Sequence, residues 1–234
     1  MKAITAKDVT YVYPDGTVGI VDATLEIESG EKVALLGANG SGKSTLLLLF
    51  SGLVKPKSGH IEIFGKKVDK SNWEFFRRNV GVLFQNPDDF LFNSTVREEL
   101  LYTPAQLDLP EEEAIKLANE YAKTFGIEKL LDKPPFRLSG GEKKKVALAC
   151  VLMMKPKLLL LDEPTANVDG KTRRKIVEII NSLDTTLVIA THELDLVPKV
   201  ANKVVLLGLD RRILSVGGLE LLENEDLLEK AGVI

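Results

Sequence analysis

Three glycines, a lysine and a hydroxyl stand together at Gly37-Ala38-Asn39-Gly40-Ser41-Gly42-Lys43-Ser44, and far downstream residues 158–164 read Leu-Leu-Leu-Leu-Asp-Glu-Pro. The first segment fits the phosphate-loop pattern GxxxxGK[ST]. Its chemistry is anion binding. Gly37, Gly40 and Gly42 let backbone N–H groups approach phosphate oxygens that a Cβ would obstruct, and a helix beginning near Lys43 adds its positive N-terminal end. In this pattern Lys43 reaches the β- and γ-phosphates, the Ser44 hydroxyl ligates Mg²⁺, Thr45 adds a phosphate contact, and Asn39 and Ser41 complete the loop's nucleotide contacts. Asp162 and Glu163, behind four leucines, supply the second half of a nucleotide triphosphatase site. Together the two segments predict a chain that binds Mg-ATP.

Such a loop works only between a strand and a helix, and the flanking residues meet that demand: the apolar run 32–36 precedes it and the apolar run 46–50 follows it. Upstream, β-type segments at 9–13, 18–21 and 24–27 alternate with turns at 14–16 and 29–30, which predicts antiparallel hairpins. Residues 60–64 and 80–84 read as further strands. From Thr95 to about Met154 the pattern turns helical, with Thr95 capping and Glu98 three residues on, 111–125 after Pro110, and 142–154 after a glycine pair. Beyond it, apolar runs at 158–161, 186–190 and 204–207, separated by a helical stretch at 171–183, read as a buried, mostly parallel sheet. Residues 219–228 read as a short acidic helix.

With 234 residues and 44% hydrophobic content the chain buries a proper core. Thirty-one basic against 34 acidic residues, a formal net charge of −3, argue against a general nucleic-acid-binding surface, and none is expected as a partner. The single cysteine, Cys150, has no intramolecular disulfide partner, which fits a reducing cytoplasm. No apolar run approaches the ~20 residues that span a bilayer, so a membrane role requires separate subunits.

A phosphate loop alone leaves many triphosphatases open. The segment Arg137-Leu138-Ser139-Gly140-Gly141-Glu142, shortly before the acidic motif, narrows the choice. Leu-Ser-Gly-Gly-Gln/Glu at that place is the signature of ATP-binding-cassette (ABC) ATPases, which this chain resembles from end to end. The resemblance implies an α/β fold: a RecA-like, mostly parallel sheet core with an N-terminal antiparallel β subdomain and an inserted helical subdomain. One domain, 1–234, is expected, with 1–84 and 156–234 forming the nucleotide-binding core and 85–155 the helical, signature-bearing part.

The same resemblance implies roles. Tyr13 stacks on adenine; Gln85 contacts Mg²⁺ and the attacking water; Asp162 organises Mg²⁺; Glu163 is the catalytic glutamate; His192 is the switch histidine beside the γ-phosphate. Ser139, Gly140 and Gly141 cover the γ-phosphate held by Lys43 of a second cassette, identical or related, docked head to tail. Asn167-Val168-Asp169 occupies the loop that crosses that interface.

Residues 84–100, Phe-Gln-Asn-Pro-Asp-Asp-Phe-Leu-Phe-Asn-Ser-Thr-Val-Arg-Glu-Glu-Leu, are similar to the corresponding stretch of cobalt/nickel and energy-coupling-factor importer ATPases. Phe90 departs from the usual Gln there, and Asn167-Val168 from the usual Gly-Leu. The subfamily implies an integral membrane coupling subunit and a substrate-binding membrane subunit, a vitamin or transition-metal ion as cargo, and a cytoplasmic place on the inner face of the cell membrane. The alternatives are a cassette of another importer or exporter, and a soluble non-transport ABC ATPase.

Overall fold

Three of the apolar runs that flank the motifs become neighbours in one sheet, and that neighbourhood places the chemistry. The computed structural model describes residues 1–234. In chain order the elements are β1 (Lys2–Val12), β2 (Val18–Glu28), β3 (Lys32–Leu36), α1 (Lys43–Ser51), β4 (Ser58–Ile63), β5 (Lys66–Lys67), α2 (Trp73–Asn79) and β6 (Val80–Leu83). Helices α3 (Val96–Gln106), α4 (Glu111–Phe125) and α5 (Gly140–Leu152) follow. The chain then runs through β7 (Leu158–Asp162), α6 (Gly170–Ser182), β8 (Thr186–Thr191), α7 (Val197–Val200), β9 (Lys203–Leu207), β10 (Ile213–Gly217) and α8 (Glu225–Ala231). Two compact units result, one of Met1–Val82, Leu158–Glu163 and Asp184–Ile234, the other of Leu83–Lys157 and Pro164–Leu183.

The first unit holds both sheets. One is antiparallel, in the order β2-β1-β4-β5; the other runs β10-β9-β3-β8-β7-β6. Strand β3 pairs in parallel with β8 and with β9, and β7 in parallel with β8. Strands β7 and β8 are buried at every position, the run of apolar residues expected where both faces of a sheet are covered. Leu35, Leu46, Phe50, Leu160 and Val188 belong to one hydrophobic cluster that also takes in Ile4, Ile20 and Ile63 of the antiparallel sheet. Complete burial of one such side chain stabilises the fold by about 1.5–3 kcal/mol.

The sequence pattern divides β2 into two short strands, but they form one. At Asp22 the backbone takes a left-handed conformation, φ 47°, and the register against β1 is irregular nearby, so the strand bends without ending. Thr10 Oγ1 accepts from the Asp22 N–H at 3.0 Å, which supports the bend. The acidic helix expected at 219–228 is likewise redrawn: Leu219–Glu223 is a 3₁₀ turn, and α8 begins only at Glu225, where the Asn224 side chain accepts from the Leu227 N–H.

The second unit is helical. The Thr95 side chain and Glu98 form a reciprocal capping box at the start of α3. Helix α4 carries three glutamates in its first turn, buries Ala114, Leu117, Ala118, Ala122 and Phe125 along one stripe, and stops at Gly126 with φ 63°. No helix of the chain is long and apolar enough to cross a membrane.

Candidate nucleotide site

The parallel register brings strand ends level. Leu36 lies beside Thr191, and Asp162 beside Ala190, so the loop after β3, the Asp162-Glu163 pair and His192 all leave the sheet at its carboxyl edge. That edge is where open α/β sheets bind ligands. The motifs, distant in sequence, meet there because β8 lies between β3 and β7.

Each glycine of the loop has its own reason. A Cβ on Gly37 would lie 2.6 Å from the Leu207 carbonyl oxygen and 2.7 Å from Ser41 Oγ, so this position is required by close packing. Gly40 has φ 83° with open space around it, and requires only the left-handed backbone. Gly42 requires both, with φ 99° and the Gly19 carbonyl oxygen 2.6 Å from the position of a Cβ. Helix α1 then starts at Lys43 behind Gly42, which offers its first N–H groups no side-chain cap, the kind of helix start that receives anions.

Lys43 is buried, and its ammonium donates to the Gly37 and Ala38 carbonyls at 2.7 and 2.9 Å. Burial pushes its pKa below the ordinary lysine range, opposed by the negative charges of Glu163 and Asp162. Ser44 and Asn39 are exposed, whereas Ser41 is wholly buried with an Oγ that has no hydrogen-bond partner. Tyr13 donates or accepts a 2.9 Å hydroxyl contact with Thr45 Oγ1, and its ring meets Tyr11 edge-on at 4.9 Å. Gly19 lies beneath both: a Cβ there would come within 2.7 Å of the Thr45 methyl and 3.1 Å of the Tyr13 ring.

Glu163 is 4% exposed and adopts φ 45°, a left-handed backbone that is uncommon for a residue with a side chain. Its N–H donates to the Ala190 carbonyl at 3.0 Å. Its carboxylate meets His192 Nδ1 at 2.7 Å through Oε1 and accepts from Thr191 Oγ1 at 3.2 Å through Oε2. Asp162, on the adjoining strand end, is also buried. Thr191 was not among the residues that the sequence pattern picked out. The signal available was a hydroxyl at the end of an otherwise apolar strand, directly before the histidine.

The second unit carries the remaining candidates. Ser139 caps α5: its Oγ accepts from the Glu142 N–H at 3.3 Å, while its own N–H and hydroxyl donate to Glu142 Oε2 at 2.8 and 2.9 Å. These bonds, the backbone one foremost, hold the Glu142 carboxyl below the ordinary glutamate range. Gly141 lies against Thr172 and Asp169, where a Cβ would sit 3.2 Å from Thr172 Oγ1. Asp169 in turn caps α6, accepting from the Lys171 and Thr172 N–H groups and from the Thr172 hydroxyl. Gly140 is exposed, as is Gln85, whose backbone carbonyl accepts from the buried Lys144 ammonium at 2.5 Å.

The family described as ABC transporter matches residues 20–166. A putative ABC transporter ATP-binding protein of Archaeoglobus fulgidus is 61% identical over 234 residues, all of this chain and 98% of the relative. The energy-coupling factor transporter ATP-binding protein EcfA of Methanocaldococcus jannaschii is 43% identical over 93% of this chain and 79% of its own length. Among solved structures, CbiO1 of Clostridium perfringens, part of the ABC transporter complex CbiONQ, is 36% identical, with TM-score 0.83 over 97% of this chain and 92% of that one. An ATP-binding cassette solved as a dimer in a post-hydrolysis state with ADP and Pi is 28% identical, with TM-score 0.85 over 92% of this chain and 98% of that one.

Proposed function

The chain belongs to the ABC transporter family of ATP-hydrolysing cassettes, and from that premise we propose that it is the motor subunit of an importer of the energy-coupling-factor or cobalt/nickel type. The observation that carries the catalytic part of this reading is the meeting of Lys43, Asp162, Glu163 and His192 at the carboxyl edge of three adjacent parallel strands. The similarity to EcfA and to CbiO1 supports the transport part.

The loop N–H groups and the start of α1 hold the phosphates of ATP, and Lys43 exchanges its two carbonyl partners for β- and γ-phosphate oxygens. Tyr13 carries the base, with its hydroxyl tied to Thr45 beside the loop. Glu163 accepts a hydrogen bond from the attacking water and takes its proton as the water oxygen bonds to the γ-phosphorus and the bond to the β–γ bridging oxygen breaks. Lys43 and the loop N–H groups stabilise the charge that ADP gains, and His192 leaves Glu163 for the γ-phosphate. Ser44 and Asp162, beside the carboxyl edge of the sheet, would offer Mg²⁺ the hard oxygen donors it takes. When bound, the ion neutralises charge on the β- and γ-phosphates.

Ser139, Gly140 and Gly141 at the start of α5 form a second anion-binding end, directed at the γ-phosphate of a partner cassette. The dimeric state of the solved relative with ADP and Pi supports the pairing of two cassettes. The cargo is a vitamin or transition-metal ion moved by a membrane coupling subunit and a substrate-binding subunit, with this chain peripheral on the cytoplasmic face. Affinity purification of the tagged chain from mild-detergent extracts of its native cells tests the transport reading. Recovery of a coupling protein and a small substrate-binding membrane protein is the expected result; recovery without any membrane protein would overturn it.

A further inference from the structure

The catalytic carboxylate is gripped on both oxygens, and the two grips differ in kind. His192 holds Oε1 at 2.7 Å, but its side chain is half exposed. Thr191 holds Oε2 at 3.2 Å and is completely buried at the end of β8, paired with Leu36 on one side and next to the strand that ends in Asp162. The Glu193 N–H donates to Thr191 Oγ1 at 3.1 Å. One Thr191 lone pair thus serves the Glu193 N–H, and the hydroxyl itself donates to Glu163 Oε2. The Glu163 backbone, left-handed at φ 45° and tied to the Ala190 carbonyl, leaves the side chain little choice of direction once Oε2 is held.

We propose that Thr191 is the positioning residue of the catalytic glutamate: it keeps the Glu163 carboxylate aimed when His192 departs to the γ-phosphate. Its hydroxyl is wholly buried and acts through Glu163. It fixes one carboxylate oxygen so that the other, released by His192, faces the water to be activated. The proposal rests on Glu163 as the general base.

The test compares steady-state ATP hydrolysis and ATP affinity of Thr191→Val, Thr191→Ser and Glu163→Gln in the full chain. Thr191→Val keeps the volume and removes the hydroxyl, and its kcat is expected to fall about tenfold or more at unchanged KM, because only the orientation of the base is lost. Thr191→Ser, which keeps the hydroxyl, is expected to stay within about twofold of the parent chain. A second readout is independent of turnover rate assays: the ATP-bound dimer of Thr191→Val, followed by sedimentation, is expected to outlive that of the parent chain and of Thr191→Ser. If Thr191→Val fails to fold, Thr191→Cys, a weak donor of similar volume, takes its place. Inactive Glu163→Gln together with a normal kcat in Thr191→Val, or a Thr191→Ser as slow as the valine variant, would overturn the proposal alone. Normal turnover in Glu163→Gln would instead overturn the role of Glu163, and the proposal with it.

Discussion

The two helix starts proposed to hold phosphate are built by opposite means. The phosphate loop starts α1 without a side-chain cap; its lysine is buried, and neighbouring strand ends supply two carboxylates and a histidine. The signature turn starts α5 with a complete capping box, exposed to solvent, and uses only residues within four positions of one another. The first site is held by tertiary structure, and a change there disturbs chemistry and packing together. The second is capped by its own helix start, so its stability and the partner-facing chemistry proposed for it separate. Buried polar groups in the first site gain from the low-dielectric surroundings and cannot be removed singly without leaving a neighbour unsatisfied.

The contrast can be broken most directly at the carboxylate. Glu163→Gln is expected to lower turnover by about 10²–10⁴-fold while ATP binding, measured by equilibrium dialysis, is retained. Lys43→Ala should abolish turnover and weaken ATP binding as well, since the proposed function puts the ammonium on both phosphates; retained ATP affinity in this variant would remove Lys43 from the site.

Next come the loop glycines, which separate backbone strain from packing. Gly40→Ala meets open space and is expected to cost about 1–2 kcal/mol in urea unfolding, the strain of a left-handed residue. Gly42→Ala adds a clash with the Gly19 carbonyl and should cost clearly more. Equal losses would mean that the Gly19 backbone yields.

The smallest effects sharpen the comparison within the helical unit. Ser139→Ala and Thr95→Ala each remove one capping box, and each is expected to cost about 1 kcal/mol of stability. Only Ser139→Ala should also lower ATP turnover; an equal loss in Thr95→Ala would show that the signature acts through stability alone. The Glu142 half of the Ser139 box has a pH sign. Its folded-state pKa is lowered, so its contribution is complete above the ordinary glutamate range and fades as the pH falls below it. Thermal melts of the parent chain and Glu142→Ala should therefore converge at acid pH.

Much of the site was legible in advance because its parts are local. Strand, glycine loop and helix follow one another in the chain, so Lys43 and Ser44 could be placed from residue types alone. The capping box at Thr95 spans three residues and is written in the same way, whereas α5 starts at Gly140 under a Ser139 cap, two residues before the start that the pattern gives. Asp162 announced itself by ending a run of leucines that only a buried strand explains. Where the reading erred, at the bend of β2 and in the split of 219–228, the deciding contacts were the pairing with β1 and the Asn224 cap, which periodicity does not encode.

By itself, then, the sequence determined the strand, glycine loop and helix around Lys43, the acidic pair behind its leucines, the start of α3 and the family, since these depend on residues a few positions apart. Only the tertiary structure decided that Thr191 and His192 share the carboxylate of Glu163, that Tyr13 reaches Thr45, and that Gly37 is required by the Leu207 carbonyl. The physical reason is strand order. With β8 inserted between β3 and β7, groups far apart in the chain arrive at one sheet edge within hydrogen-bond distance, and no local pattern records which strand lies beside which.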